Sequence, residues 1–174
     1  MTHPKILGVD PGVHGGWSLL DHKRKLIDAR HFPLRHNLKS ADVTLEIDIP
    51  ALAAQIDMLG ATHAFIENVS SRPRQAGAFK FGFNTGLVHG VLASYGVEIR
   101  TVAPQTWKSL FGIKRQNDTK RQTKNEAREI AAKLFPDQAK LFARAKDDGP
   151  AEATLIAFYG FELTAQIGEP EWKR

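Results

Sequence analysis

The sequence predicts a single α/β layer domain over residues 1–174, with helices packed against a mixed sheet. Three observations carry that prediction. Strand-like segments come first as a meander, strand and helix patterns then alternate, and helical patterns close the chain, an order that suits helices layered on a mixed sheet. With 174 residues and 42% hydrophobic content, one core of ordinary size can form. Two apolar runs end on acids, Asp10 and Glu67, and ligands of such sheets bind beyond the strand ends.

The first strand is expected over Lys5 to Asp10, where Ile6-Leu-Gly-Val runs into Asp10 and the Pro-Gly pair turns the chain away. Gly16 to Leu20 and Lys25 to Phe32 read as the next two strands, and Asp21-His-Lys-Arg suits the hairpin loop between them. Pro33 to Thr44 has no clear periodicity and reads as loop. Asp48 is placed to cap a helix with Pro50 in its first turn; Leu52, Ala53, Ile56 and Leu59 recur at helical spacing until Gly60 stops it. Ala64-Phe-Ile-Glu67 forms a fourth strand within Thr62 to Val69, followed by a loop over Ser70 to Gln75 and a helix from about Ala76 to Tyr95.

That helix carries Gly82, Gly86 and Gly90 on one face, although glycine costs about 1 kcal/mol relative to alanine in a helix. The bare face predicts close packing, against either a second helix or the chain's own sheet. Phe79 and Phe83 share a helix face and read as core or interface, whereas Phe81 points elsewhere and suits a wedge into an opened base step. Glu98 to Val102 is the fifth strand, and Pro104 to Phe111 begins a short helix. Gly112 to Gln122 is polar and basic. Thr123 to Leu134 is helical, with Ala127, Ile130, Ala131 and Leu134 on its apolar side and Pro136 beyond its end. Asp148 to about Gln166 is the most apolar helix.

The absence of cysteine excludes disulfides and cysteine-ligated zinc. No apolar run reaches the length of a membrane span and the first residues lack a signal peptide's apolar region, so a cytoplasmic location is expected. The net charge of +5 is unevenly spread. Ser70 to Val97 holds no acid but contains Arg72, Arg74 and Lys80; Lys114, Arg115, Lys120, Arg121, Lys124 and Arg128 face only Asp118 and Glu126 in their stretch. Basic tracts apart from an acidic cluster suit a protein that grips phosphates broadly and acts at one point.

The acids are informative through their placement. Asp10 and Glu67 end apolar strands, where a carboxylate needs a partner. If those strands are parallel neighbours, the two stand side by side. Further on, Lys146-Asp-Asp-Gly-Pro-Ala-Glu opens a helix with Pro150 in its first turn. Asp148 and Glu152 are four residues apart and share a face, whereas Asp147 and Glu152 are about 140° apart on a helix of 3.6 residues per turn. Asp148 is therefore preferred and Asp147 is the alternative. Taken singly, Asp10 fits a turn opener, Glu67 a solvated strand end and Asp148 a helix cap. Glu152, among core-like neighbours, has no such ordinary role. Jointly they predict a metal site of Asp10, Glu67, Asp148 and Glu152. Hard oxygen donors favour Mg²⁺ or Mn²⁺, and two ions about 4 Å apart serve phosphodiester hydrolysis. The seven histidines show no zinc-ligand spacing and read as surface or turn residues.

With Ile6-Leu-Gly-Val-Asp-Pro-Gly, Phe65-Ile-Glu-Asn-Val, Lys80-Phe-Gly-Phe-Asn-Thr-Gly-Leu-Val-His-Gly, Pro104-Gln-Thr-Trp-Lys and Asp148-Gly-Pro-Ala-Glu-Ala-Thr-Leu-Ile-Ala in that order, the sequence resembles the RuvC family of Holliday-junction resolvases. The resemblance runs from about Lys5 to Tyr159. It implies a ribonuclease H-like fold, a mixed five-stranded sheet flanked by helices, and a crossover junction endodeoxyribonuclease acting as a homodimer on branched DNA. It also implies that Asp10, Glu67, Asp148 and Glu152 are the catalytic carboxylates and that Lys108 and Lys124 approach the scissile phosphate. Glu152 stands where many members have Asp. The gap of four from Asp148 is similar to mitochondrial and phage-type resolvases, which would place a phage-encoded protein in the host cytoplasm.

Other readings lead to different tests. A related ribonuclease H-like nuclease would cut forks, flaps or RNA–DNA hybrids with the same carboxylates. Gly8-Val-Asp-Pro-Gly with Gly15-Gly also suits the phosphate loop of an actin-like ATP-binding protein, though that family needs a second such domain. A binding-only junction protein would show no metal-dependent cleavage.

Overall fold

The computed structural model describes residues 3–37, 44–68, 78–113 and 120–167; the side chains at 37, 44, 120–123, 166 and 167 lie outside that description. The strands are β1 (Ile6–Asp10), β2 (Gly16–Leu20), β3 (Leu26–His31), β4 (Leu34–Asn37), β5 (Thr44–Ile47), β6 (His63–Glu67) and β7 (Glu98–Val102). The helices are α1 (Ile49–Leu59), α2 (Ala78–Ser94), α3 (Pro104–Leu110), α4 (Lys120–Leu134) and α5 (Asp148–Ile167), with a 3₁₀ segment over Pro136–Phe142.

Five strands form a mixed sheet in the order β3-β2-β1-β6-β7. The β1–β2–β3 meander is antiparallel, and β6 and β7 add on the other side in parallel. The expected mixed five-stranded sheet is therefore present. Period-two alternation lets each strand feed two cores. Leu7, Val9 and Ile66 pack with Leu52, Val88 and Leu92 of α1 and α2. Ile6 and Phe65 pack with Trp107, Ala131, Leu155 and Ile156 of α3, α4 and α5.

The α1 punctuation is as expected: the Asp48 side chain accepts from Ala51 N at 3.1 Å, and Gly60 closes the helix at φ 59°. The stretch read as loop from Pro33 to Thr44 differs, because β4 and β5 pair as an antiparallel ribbon with Leu34 opposite Ile47. Each strand is four residues long, too short for alternation to register, and pairing across the ribbon supplies what local pattern lacks. The 3₁₀ segment was also unexpected, and α4 starts three residues before Thr123.

Two histidines correct the view that all are surface or turn residues. His31 ends β3, and His63 opens β6 with its side chain 12% exposed, near Glu98. Phe79 and Phe83 are not core: they are 87% and 54% exposed and their rings stack 6.3 Å apart. Among the described residues, a Cβ added at Gly82, Gly86 or Gly90 would meet nothing within 4 Å, which overturns the fitting of those glycines onto the helix's own sheet. Instead α2 buries Asn84, Val88, Val91 and Leu92 inward and presents Phe79, Gly82, Phe83, Gly86 and Gly90 outward. No helix among the described residues is long and apolar enough to cross a membrane.

Candidate active site

Sheet register brings Asp10 and Glu67 together. β1 and β6 are parallel with Val9 opposite Ile66, so the next residue on each strand is an acid. Residues i and i+2 of a strand share a face. Gly8 faces α5 so closely that a Cβ there would lie 2.0 Å from Ala153 O, and Gly160 of α5 sits against the Phe65 ring. Asp10 and Glu67, two residues further along, therefore project on the α5 side. The first turns of α5 bring Asp148 and Glu152 to the same end of the sheet. Gly149 seats that end on the β1–β2 turn, since a Cβ there would lie 2.6 Å from His14 O and 2.7 Å from Gly15 Cα.

Glu67 and Asp148 act on Asp10, and Asp10 and Glu67 act on Glu152. Glu152 is pushed up to about 8, first by burial and then by the charge of Asp10, with Lys108 opposing. Asp10 is pushed up to about 6 by burial and then by Glu67, against the Gly12 N–H and Lys124. Glu67 is also raised by burial, while Lys108 and the Trp107 hydrogen bond pull the other way. Around them, Gly12 N donates to Asp10 Oδ1 at 3.2 Å, and Trp107 Nε1 donates to Glu67 Oε1 at 3.0 Å. Lys108 Nζ lies 3.8 Å from Glu152 Oε1, and Lys124 Nζ donates to Asp148 Oδ2. Burial works against the Lys124 charge, but Asp148, Glu152 and Asp10 outweigh it and raise its pKa.

Asp147 faces a different way. It is 1% exposed and receives Arg144 N at 2.9 Å and Arg144 Nη2 at 2.8 Å, with His31 Nε2 3.5 Å away. Burial would raise its pKa, yet the Arg144 hydrogen bonds and His31 hold it below the ordinary carboxylate range. Asp148 is thus the member of the pair beside Asp10.

Of the other candidate DNA-contacting residues, Lys80 and Phe81 lie in the first turn of α2, which packs on the opposite face from α5; Lys80 is exposed and Phe81 half-buried. Lys120 and Arg121 begin α4, but their side chains lie outside the described residues, as do Arg72, Arg74, Lys114 and Arg115 altogether. Trp107 and the Asp147–Arg144–His31 group were not anticipated. A buried indole signals a need for an acceptor, but only the fold shows that Glu67 supplies it.

Among the described residues, no group of three or more such side chains is already gathered tightly enough to hold a metal ion. The donor chemistry nonetheless fits a hard divalent cation: four carboxylates, two of them driven toward protonation by burial and mutual repulsion, with two lysine ammoniums between them. This has a measurable consequence. Raised carboxylate pKa values mean that the folded chain binds more protons than the unfolded one, so stability present below about pH 4 is lost as pH rises through about 6 and 8. Glu152→Gln should stabilise the protein at pH 8 by roughly 1–3 kcal/mol in urea unfolding. Added Mg²⁺ should raise the wild-type Tm more at pH 8 than at pH 5; equal shifts at both pH values would refute the linkage.

A mixed five-stranded sheet in which the antiparallel β1–β2–β3 meander is extended by parallel β6 and β7, flanked by helices, is a ribonuclease H-like fold. Within that class the fold is that of the RuvC and Holliday-junction resolvases. The RuvC of T. thermophilus in complex with Holliday junction substrate matches at TM-score 0.56 and 14% identity, over 94% of this chain and 96% of that one. A second Thermus thermophilus RuvC structure matches at 0.53 and 16%, over 92% and 97%. The fowlpox virus resolvase in complex with substrate Holliday junction DNA matches at 0.51 and 11%, over 91% and 97%. At such identities the likeness is one of fold. No protein-family model matches the chain, and no curated protein matches it by sequence.

Proposed function

We propose that this protein is a metal-dependent endonuclease that resolves four-way (Holliday) DNA junctions by paired, symmetric nicks. The observation that carries this reading is the convergence of Asp10, Glu67, Asp148 and Glu152 from three elements of a resolvase fold, with Lys108 and Lys124 at the same place. These carboxylates would hold one or two Mg²⁺ or Mn²⁺ ions, which when bound supply an activated water and charge for the leaving oxygen. Lys124, with half of its side chain exposed, is the cation available to a phosphate once Asp148 turns to another partner. Lys108 holds Glu152 in place. Arg72, Arg74, Lys80, Lys114, Arg115, Lys120 and Arg121 supply sequence-independent phosphate contacts, and Phe81 is assigned the wedge role.

Incubation with four-way, forked, flapped, duplex and RNA–DNA hybrid substrates, with and without Mg²⁺, tests the assignment. Mg²⁺-dependent cutting confined to the four-way substrate is expected. Preference for forks, flaps or hybrids would make it a related nuclease, and binding without cutting a junction-binding protein.

Two symmetric nicks need two clusters, and the described residues carry one. The active species is therefore a homodimer with an isologous interface. The outward face of α2 suits it, since Gly82, Gly86 and Gly90 leave the backbone open and Phe79 and Phe83 expose apolar surface beside them. Sedimentation at micromolar concentration should give twice the chain mass of 19.3 kDa. Gly86→Leu should give monomers that bind junctions at least about tenfold more weakly, because avidity is lost. A wild-type monomer that makes paired nicks would overturn the dimer.

A further inference from the structure

We propose that Trp107 is a positioning residue of the carboxylate cluster, its buried indole N–H holding one oxygen of Glu67 and leaving the other for a divalent cation. The inference rests on the metal-dependent reading above. Trp107 is fully buried, and its Nε1 lies 3.0 Å from Glu67 Oε1. The backbone explains the meeting. Asn68 N, just past Glu67, donates to Val102 O at 2.8 Å, and α3 begins two residues beyond Val102 with Pro104 in its first turn. The helix therefore starts beside the end of β6, and its first turn delivers the indole to Glu67.

The chemistry of the donor matters. Lys108 and Lys124 neutralise the carboxylates with full positive charge, so an arriving divalent cation competes with both. An indole N–H is a neutral donor with no acceptor capacity. It orients a carboxylate without contesting the cation's charge, and can keep its hydrogen bond while the ion is bound. Partners of this kind, one step behind the ligating oxygens, typically change metal affinity 10–100-fold when removed. The same ring organises a second carboxylate: Lys108 Nζ lies 4.8 Å from the Trp107 ring centroid and 3.8 Å from Glu152 Oε1. One aromatic side chain thus restrains Glu67 through its edge and Glu152, by way of Lys108, through its face.

Trp107→Phe separates these effects, because it keeps an aromatic face and most of the packing but removes the N–H. Calorimetric titration with Mn²⁺ in the absence of DNA is expected to show at least about tenfold weaker binding. With Mg²⁺ and saturating junction, kcat should fall while KM stays near wild type. Unchanged Mn²⁺ affinity with unchanged kcat overturns the proposal, and so does a lowered Tm with wild-type Mn²⁺ affinity, the signature of packing alone. Should the variant not fold, ¹⁵N–¹H spectra of the wild-type indoles decide, with Trp107 assigned through Trp17→Phe and Trp172→Phe. A Trp107 N–H protected from exchange that shifts on Mg²⁺ addition supports the role; a freely exchanging or unmoved one refutes it. A wild-type protein that neither binds Mn²⁺ nor cuts DNA fails the metal-dependent reading itself. Metal binding equal in wild type and Trp107→Phe fails only the positioning role.

Discussion

Asp10→Asn abolishes strand cutting, with an expected loss of at least about 10³-fold in kcat, while junction affinity stays within about twofold of wild type. Asp10 is the carboxylate that Glu67, Asp148 and Lys124 all act upon, which places it in the middle of the cluster. An amide there keeps the shape, and its oxygen can still accept from Gly12 N. It removes the negative charge a cation needs. On the proposed function, phosphate contacts come from the basic surfaces, so binding has no reason to follow cutting. The substitution also relieves repulsion, and the variant should melt no lower than wild type, which separates chemistry from folding. Gel-shift and cleavage assays on one junction check the split. A folded variant that loses binding and cutting together would count against the site.

Gly8→Ala costs about 3 kcal/mol or more, among the largest stability effects expected of a single methyl group at the described glycines. The added Cβ would sit 2.0 Å from Ala153 O and 2.3 Å from Ala157 N, both backbone atoms of α5 that no rotamer change can move. β1 is the middle strand and α5 lies across it, so relief requires the helix to move off the sheet. That motion would carry Asp148 and Glu152 away from Asp10 and Glu67, and activity should fall further than the folded fraction alone predicts. Urea unfolding followed by circular dichroism measures the first effect and cleavage per folded molecule the second. A midpoint close to wild type would mean that β1 and α5 are not in contact at Gly8.

Much of this was legible in the chain itself, because local chemistry writes local structure. Asp48, Pro50 and Gly60 punctuate α1 through capping, a tolerated first-turn proline and left-handed backbone, all within reach of a few residues. Apolar runs ending on Asp10 and Glu67 marked strands with misplaced charge, and the four-residue spacing of Asp148 and Glu152 put both on one helix face. The β4–β5 ribbon was not legible, since its stability comes from pairing across the chain rather than from either four-residue strand. Nor was the fate of Phe79 and Phe83: helical periodicity shows that they share a face but not whether anything covers it.

By itself, then, the sequence determined the strands of the main sheet, the principal helices and which acids lacked an ordinary role, through propensity, capping and periodicity, but not the β4–β5 ribbon or the 3₁₀ segment. Only the tertiary structure decided which partners meet. Parallel register set Asp10 beside Glu67, Gly8 and Gly149 let α5 bring Asp148 and Glu152 within their field, and Arg144 with His31 turned Asp147 away into the protein. The physical reason is range. Propensity and capping act over a few residues, whereas the charge, burial and hydrogen bonding that make a site depend on groups more than a hundred residues apart in the chain.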